Sequence, residues 1–205
     1  MADRGFYARF GKRALDVALL LLALPLLLPL AALTAAVVAL SLGRPLLFAQ
    51  ERAGLHGRPF RLFKFRTLRE GPGSDAERLT TAGRVLRALA LDEIPQAWNI
   101  LKGEMSLVGP RPLPPAYLPL YSPREWLRLS VRPGLAGLAQ SKGRNAVPWA
   151  ERLEWDARYA EAPPRLATDL GILLACVLCV LRGQGVAAAG HATMPALSAE
   201  RGGGR

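Results

Sequence analysis

One stretch of this sequence constrains the fold more than any other, because it carries no charge over 26 residues. It runs from Val17 to Leu42 and consists mostly of leucine and alanine. A helix needs about 20 apolar residues to cross the hydrocarbon core of a bilayer. A secretory signal peptide fits poorly, since the run exceeds the usual apolar region and leads into no small-residue cleavage site. The stretch therefore predicts a chain that is anchored in a membrane.

The composition and flanks of this stretch suggest how the anchor is folded. Pro25 and Pro29 lie within it, and each removes a backbone donor and favours a kink. Basic residues flank both ends: Arg4, Arg9, Lys12 and Arg13 precede it, and Arg44, Arg52, Arg58 and Arg61 follow it. Because positively charged flanks stay in the cytoplasm, both ends are expected on that side. A helical hairpin that enters, bends at proline and returns would satisfy this pattern, and one ordinary spanning anchor stays an equal alternative.

Net charge and cysteine content narrow the choice of partners only partly. The formal net charge of +11 fits nucleic acid, an anionic bilayer or phosphorylated substrates about equally. Cys176 and Cys179 have the spacing of a redox or zinc site, yet they lie in the uncharged run Gly171–Leu181. The chain has two histidines, His56 and His191, to complete a metal site. Cysteines packed in a helix or facing the membrane are therefore the better interpretation.

The rest of the sequence predicts an α+β fold that is mainly helical, with one small β-hairpin. The hairpin strands are predicted at Pro45–Gln50 and Phe60–Arg66, around turn residues. The predicted helices are Ala82–Ala90 capped by Thr81, a helix capped by Asp92 that stops at Lys102–Gly103, Glu125–Leu129, Trp149–Ala160 and Leu170–Leu181. The last has 12 uncharged residues, too few to cross a bilayer, so we expect it to be packed or to lie at the membrane interface. The tail Arg201–Arg205 is expected to be disordered.

Asp92 and Glu93 are the candidate reactive residues. Taken alone, they are more simply explained as a helix N-cap and a first-turn acid, both favoured by the helix dipole. Arginines change this interpretation, because Arg87 lies shortly upstream and Arg111 lies between two prolines. A helix N-terminus favours bound phosphate, and two adjacent carboxylates suit Mg²⁺, which usually shares substrate phosphates. The pattern predicts phosphate chemistry at a membrane, with Arg144 either a further contributor or part of a solvated loop.

A series of further short segments spans most of the chain from Lys12 to Tyr159. They are Lys12–Asp16, Pro29, Phe63–Thr67, Leu91–Gln96, Asn99–Ser106, Val108–Pro112, Val131–Gln140 and Gly143–Asn145. In these segments, and in their order, the chain resembles the small monotopic phosphoglycosyl transferases of the bacterial sugar transferase family. The tail Gly190–Met194 further resembles the subfamily that starts bacterial protein N-glycosylation with diacetylbacillosamine phosphate.

This resemblance implies a reaction and its residues. Members transfer the phosphosugar of a UDP-sugar to undecaprenyl phosphate on the cytoplasmic face of the bacterial inner membrane, and they release UMP. By resemblance, Asp92 is the nucleophile that carries a covalent phosphosugar, and Asp92 and Glu93 together hold Mg²⁺. Arg87, Arg111 and Arg144 are expected to hold phosphates or the nucleotide. The donor is expected to be N-acetylated, with UDP-diacetylbacillosamine as the first choice.

The resemblance also implies an architecture. The family's membrane segment is a re-entrant helix hairpin broken at a proline, which corresponds to Pro29, although this chain has Leu28-Pro29 where a Ser-Pro pair is typical. The expected organisation is a monotopic protein with a membrane segment (1–43), a cytoplasmic catalytic domain (44–190) that carries surface-lying amphipathic helices, and a tail (191–205). A homodimer is left open.

Two other classes of protein compete with this reading. A membrane-tethered nucleic-acid binder would explain the charge, but its basic residues should cluster on one face or arm. Here they are dispersed among apolar residues without a known nucleic-acid motif, so no nucleic-acid partner is expected. A non-catalytic membrane scaffold would leave the Asp-Glu pair and the Pro-Arg-Pro segment without a purpose.

Overall fold

The computed structural model describes residues 6–185, 194 and 196–202, and within them the chain is mostly helical with two small sheets. The helices are α1 (Lys12–Leu42), α2 (Asp75–Arg78), α3 (Thr81–Ala88), α4 (Gln96–Lys102), α5 (Pro123–Trp126), α6 (Leu138–Ser141), α7 (Trp149–Glu161), α8 (Leu166–Leu181) and α9 (Leu197–Gly202). The strands are β1 (Leu47–Ala53), β2 (Pro59–Phe65), β3 (Ser106–Val108) and β4 (Gly134–Ala136). Single turns of 3₁₀-helix lie at Leu55–Gly57, Leu91–Glu93, Pro115–Leu120, Leu127–Ser130 and Arg144–Ala146.

The apolar segment forms one helix, α1, which is long and apolar enough to cross a bilayer. Its backbone stays helical through Pro25 and Pro29, so the break that the sequence predicts at Pro29 is not seen. Both prolines are exposed and lie one turn apart, so the hydrogen bonds that they remove fall on the outer face of the helix. The packed face is therefore undisturbed, and the re-entrant hairpin stays a prediction.

α1 contacts the rest of the protein near both of its ends. Its buried residues recur at helical spacing: Asp16, Leu20, Thr34 and Val38. Leu20 packs with Phe60 at one end of β2, and Val38 packs with Phe65 at the other. The opposite face exposes a row of leucines: Leu21, Leu22, Leu26, Leu28, Leu33 and Leu40. One face of the helix thus packs against the rest of the protein, and the opposite, apolar face is exposed.

A buried carboxylate connects the start of α1 to α8. Asp169 accepts hydrogen bonds from the Tyr7 hydroxyl at 2.7 Å, from Lys12 Nζ at 2.7 Å and from the Tyr159 hydroxyl at 2.8 Å. α8 is longer than the predicted Leu170–Leu181, because Asp169 lies inside its first turn and is satisfied by these donors. These bonds hold the two apolar helices of the chain together at one end.

The cysteines lie on the inner face of α8. Cys179 is buried and Cys176 is half-buried, and their thiols point at the carbonyl oxygens of Ser141 and Gly137. In the part of the chain that the structure describes, no group of three or more His, Cys, Asp or Glu side chains could hold a metal ion. The interpretation of both cysteines as packed helix residues is confirmed.

The predicted β-hairpin is confirmed, with strands shifted along the chain by a few residues. β1 pairs antiparallel with β2, from Leu47 opposite Phe65 to Ala53 opposite Pro59. Because successive side chains of a strand alternate between its faces, Phe60 and Leu62 of β2 are buried together under α1. Lys64 falls on the same face as these two residues and points toward the segment between α3 and α4.

A second, parallel pair of strands was not predicted from the sequence. β3 pairs with β4 through Ser106 opposite Gly134 and Val108 opposite Ala136. A side chain at Gly134 would place its Cβ 2.0 Å from the backbone nitrogen of Gly109, so the two backbones can approach this closely only as glycines. This contact sets the start of the Pro110–Pro112 segment beside β4.

The two helix starts around the candidate site differ from the predicted ones. Thr80, not Thr81, caps α3, and its hydroxyl accepts a hydrogen bond from the Gly83 N–H at 2.9 Å. Asp92 is not an N-cap. Ala90 adopts a left-handed conformation (φ 56°), which ends the preceding helix and starts the 3₁₀ turn Leu91–Glu93. α4 then begins after Pro95 and ends at the left-handed Gly103, which confirms the predicted stop.

The first two residues of the tail that was expected to be disordered, Arg201 and Gly202, are helical, and residues 203–205 lie outside the described residues. Leu197 of α9 is fully buried in a core cluster with Leu113 and Trp149, among others. Arg201, predicted as disordered, is helical and forms an ion pair with Glu125, because α9 packs beside Pro115–Leu120. The boundary at 190/191 and most of the Gly190–Met194 motif lie outside the described residues, and Met194 itself packs against the same cluster.

Candidate active site

The turn Leu91–Glu93 brings the two candidate carboxylates under the β-hairpin. It follows Ala90, whose left-handed backbone is uncommon for a residue with a side chain and is typical of strained functional positions. The turn packs against β2 and α1, so Asp92 is only 6% exposed. Both carboxylates are therefore largely removed from bulk water. Charge interactions are stronger in this partly buried environment than at the protein surface.

Glu93 lies between two cations. Its Oε1 is 2.7 Å from Lys64 Nζ and 2.5 Å from Arg111 Nη2, while Arg111 Nη1 lies 3.4 Å from Oε2. The guanidinium thus meets the carboxylate with both arms of its fork. Although burial alone would raise it, these cations hold the pKa of Glu93 well below its usual range. Glu93 is ionised and already neutralised by its neighbours.

Asp92 has a contrasting environment. Its carboxylate accepts no hydrogen bond from residues 6–185, 194 and 196–202. Burial, and then the charge of Glu93, raise the pKa of Asp92 to about 6, and Lys64, Arg87 and Arg111 act in the opposite direction. Two neighbouring carboxyl groups whose pKa values are pushed apart have distinct chemical roles. Glu93 organises the surrounding cations, and Asp92 keeps an unengaged carboxylate.

Arg87 and Arg52 extend the positive surroundings of this pair. Arg87 Nε donates to the Thr67 hydroxyl at 2.9 Å, and its Nη1 is buried without a hydrogen-bond partner among the described residues. Burial lowers the pKa of Arg87, and Asp92 and Glu93 offset this effect. Arg52 Nε is likewise buried without a described partner. Unpaired guanidinium donors beside carboxylates suit the oxygens of a bound anion.

A small cavity opens at this place. It is lined by Arg52, Leu62, Lys64, Gln96, Arg111 and Pro112. Three of these six side chains are cationic, and two of the three, Lys64 and Arg111, form ion pairs with Glu93. The charge of this lining favours an anionic group over a neutral or cationic one.

Arg144 does not join this cluster. It has a positive φ of 50°, and its guanidinium donates to the carbonyl oxygens of Arg87 at 3.0 Å and Ala88 at 3.2 Å. These carbonyls lie at the C-terminal end of α3, where a cation is favoured by the helix dipole. In this arrangement Arg144 braces the backbone that leads into the Leu91–Glu93 turn, and its role as a phosphate ligand stays a prediction.

The structure therefore unites four of the five predicted site residues: Asp92, Glu93, Arg87 and Arg111. The sequence did not identify Lys64 as a site residue, although it lies in the segment Phe63–Thr67 that resembles the family. Its signal is a lysine on the face of β2 that also carries the buried Phe60 and Leu62, whereas the other cation of the strand, Arg61, lies on the exposed face. Arg52 and the buried Gln96 were also missed, and neither has a local sequence signal.

Asp92 and Glu93 are the residues of this site that could hold Mg²⁺. Two carboxylates and several waters, together with substrate phosphates, are a usual set of ligands for this ion. Asp92 fits, because its buried carboxylate has no described partner. Glu93 fits through its Oε2, whose one hydrogen bond from the described residues is the long contact of 3.4 Å with Arg111 Nη1.

Comparison with known proteins identifies the family of this chain. The sequence profile of the family described as bacterial sugar transferase matches residues 7–183. The chain is 46% identical over 166 residues to the uncharacterized sugar transferase EpsL of Bacillus subtilis strain 168, over 78% of this chain and 82% of that protein. It is 38% identical over 199 residues to the exopolysaccharide production protein ExoY of Sinorhizobium fredii strain NBRC 101917 / NGR234, over 85% and 88%.

A relative with a named reaction also aligns. This is the UDP-glucose:undecaprenyl-phosphate glucose-1-phosphate transferase of Caulobacter vibrioides strain ATCC 19089 / CIP 103742 / CB 15, which is 45% identical over 145 residues, 64% of this chain and 54% of that protein. The match to the family covers nearly all of the described chain and includes the turn that carries Asp92 and Glu93. The chain therefore belongs to the bacterial sugar transferase family.

Proposed function

We propose that this protein transfers a sugar 1-phosphate from a UDP-sugar to undecaprenyl phosphate and releases UMP. The observation that carries the proposal is the contrast between the two carboxylates. Glu93 is fixed by Lys64 and Arg111, whereas Asp92 is buried, raised in pKa and without a described partner. This arrangement suits a nucleophile held beside a phosphate-binding cluster.

In the first step, an oxygen of the Asp92 carboxylate attacks the β-phosphorus of the donor. A new bond forms between this oxygen and phosphorus, and the bond from phosphorus to the oxygen bridging the two phosphates breaks. UMP leaves with that oxygen and its electron pair, and the phosphosugar stays on Asp92 as an acyl phosphate. Arg111 and Arg87 would stabilise the charge on the transferred group, as positioned cations do in phosphoryl transfer.

In the second step, a phosphate oxygen of the lipid attacks the same phosphorus. The acyl–phosphate bond breaks, Asp92 recovers its carboxylate, and the lipid diphosphosugar is released. Dividing the transfer in this way lets a soluble donor and a lipid acceptor use one small cavity in turn. The cavity suits such alternation because it lies next to β2, which packs under α1.

Mg²⁺ is part of the proposal, with Asp92 and Glu93 as its protein ligands. When bound, the ion would neutralise charge on the donor diphosphate. Lys64 and Arg111 would keep Glu93 ionised and in place to contact Mg²⁺, whether or not the UDP-sugar is bound.

The location proposed for the reaction is the cytoplasmic face of the bacterial inner membrane. The sequence supports it through basic flanks on both sides of the apolar stretch. The structure adds that α1 packs on the same domain near both of its ends, through Leu20 and Val38. A helix that crosses the bilayer once would separate its ends by the membrane thickness, so contacts at both ends favour an anchor that stays on one side.

The donor sugar is the least constrained part of the proposal. The Gly190–Met194 tail favours an N-acetylated donor, UDP-diacetylbacillosamine first, for glycoprotein synthesis. The named reaction of the Caulobacter vibrioides relative and the name of the Sinorhizobium fredii relative favour UDP-glucose or another hexose, for a polysaccharide. Both alternatives use the same two carboxylates and the same lipid.

A UMP-release assay on the full-length protein in detergent or nanodiscs tests the proposal. Donors are compared as a panel of UDP-sugars with undecaprenyl phosphate and Mg²⁺. We expect repeated turnover, measured as UMP well in excess of enzyme, that depends on the lipid, on Mg²⁺ and on Asp92. Tenfold better turnover of UDP-glucose or UDP-galactose than of UDP-diacetylbacillosamine would reject the N-acetylated donor. Release of UDP, or no lipid dependence, would reject the reaction itself.

A further inference from the structure

Behind the candidate site lies a buried charged group that the proposed mechanism does not use. Asp156 of α7 and Arg128 form an ion pair of 2.8 Å, with side chains 2% and 1% exposed. Buried ions are costly unless they are paired and hydrogen-bonded. Burial raises the pKa of Asp156, and the positive charges of Arg128, Arg152 and Arg111 act against this.

The same guanidinium of Arg128 holds the backbone of Arg111. Arg128 Nη2 donates to the Arg111 carbonyl oxygen at 2.6 Å as well as to Asp156, and Nη1 donates to the Tyr121 hydroxyl at 3.2 Å. Arg111 is therefore held from both sides. Its carbonyl is fixed by Arg128 from behind, and its guanidinium meets Glu93 in front.

The residues that flank Arg111 make the position of its backbone important for the direction of its side chain. Pro110 and Pro112 flank it and limit how its backbone can adjust. The direction of its guanidinium then depends on where its peptide group is placed. A planar fork must be oriented to meet a carboxylate or phosphate with both arms, unlike an ammonium group, which is a rotatable point charge.

We propose that Asp156 and Arg128 are positioning residues for the transfer reaction. Asp156 orients Arg128, and Arg128 places the peptide of Arg111 so that its guanidinium reaches Glu93 and the transferred phosphate. The inference rests on the role proposed for Arg111 above. It assigns a function to α7, an element that contributes no side chain to the cavity.

The expected effect is large for a residue that touches no substrate. A misplacement of about 1 Å in a catalytic group can lower the rate by about 100-fold. We expect Asp156→Asn to lower kcat/KM by about 10- to 100-fold, mainly through kcat. The matched control is Glu154→Gln on the same helix, whose ion pair with Arg124 is exposed. It should change kcat/KM by less than about twofold, as expected for a surface pair.

A double-mutant cycle separates positioning from general stability. Asp156→Asn is measured alone and in an Arg111→Lys background, in protein shown to be folded by its thermal midpoint. Because an ammonium does not need the orientation of a fork, the effect of Asp156→Asn should shrink to about twofold in that background. An unchanged factor in both backgrounds, or full activity of Asp156→Asn alone, would overturn the proposal.

A second variant keeps the test decisive if Asp156→Asn does not fold. Arg128→Lys retains the charge that pairs with Asp156 but cannot also hold the Arg111 carbonyl with a second arm. It enters the same cycle with the same expectations. Full activity of Arg111→Lys and of Arg111→Gln would instead reject the role of Arg111 in the proposed function. If the Arg111 variants are impaired but the effects of the two substitutions on kcat/KM are additive, only the positioning role of Asp156 and Arg128 is rejected, and the role of Arg111 stands.

Discussion

Replacement of the carboxylate by an amide of the same shape should have opposite effects on the free energy of unfolding at Asp92 and at Glu93. Glu93→Gln removes the counter-charge of Lys64 and Arg111, both of which contact Glu93. Breaking a buried ion pair from one side costs about 3–5 kcal/mol. Asp92→Asn instead removes a buried charge that no described residue neutralises by contact, and it should stabilise the protein.

The gain at Asp92 follows from its pKa. A rise from 3.8 to about 6 is a penalty of about 3 kcal/mol at neutral pH, because each pKa unit is worth about 1.4 kcal/mol. Since the folded-state pKa lies above the unfolded value, the penalty is absent below pH 3.8 and grows as the pH rises toward about 6. The asparagine amide has no such dependence on pH.

Thermal unfolding in detergent with a chelator present measures both effects. For a protein of this size, 1 kcal/mol shifts the midpoint by about 2–4 °C, so Glu93→Gln should unfold about 6–20 °C lower and Asp92→Asn about 6–12 °C higher at pH 7.5. The gain of Asp92→Asn should shrink toward zero as the pH approaches 4. Both variants should be inactive, as expected when function requires a destabilised site. A loss of stability in Asp92→Asn equal to that in Glu93→Gln would refute the contrast between their environments.

Three further predictions concern the cations and the anchor. Arg111→Lys should lower kcat/KM for UMP release by about tenfold, because one arm of the fork to Glu93 is lost; unchanged kinetics would remove Arg111 from the site. Lys64→Met should raise KM for the UDP-sugar, because the cavity then loses one of its three cationic side chains, and a variant with wild-type donor dependence would contradict this. Single cysteines at Ala2 and Ser74, in a chain lacking both native cysteines, should both resist an impermeant periplasmic thiol reagent, whereas labelling at Ala2 alone in spheroplasts would establish a full crossing.

Features that depend on local pattern could be predicted from the sequence. The uncharged run predicts α1, and alternation around turn residues predicts the β1–β2 hairpin. The stop of α4 follows from the left-handed preference of Gly103. The proximity of Asp92, Glu93 and Arg111 was also predictable, because an acid pair and a proline-bracketed arginine belong to one family pattern, and their chemical roles stay a prediction.

Features that depend on packing between distant segments could not be predicted in this way. Asp92 has the residue type of an N-cap, but the left-handed Ala90 ends the preceding helix early and turns the Asp92 side chain inward. A lysine in a strand is usually solvated, and only the approach of Glu93 to β2 shows Lys64 as a site residue. Arg144 has a loop sequence, and its place on the end of α3 depends on the tertiary fold.

The covalent step at Asp92 is the central claim, and mass spectrometry tests it directly. The full-length protein is mixed with UDP-sugar and Mg²⁺ without lipid acceptor, quenched in the absence of nucleophiles and digested. We predict a phosphosugar adduct on the peptide that contains Asp92, which disappears in Asp92→Asn and on addition of undecaprenyl phosphate. No adduct, together with an active Asp92→Asn and kinetics that require both substrates at once, would contradict the account.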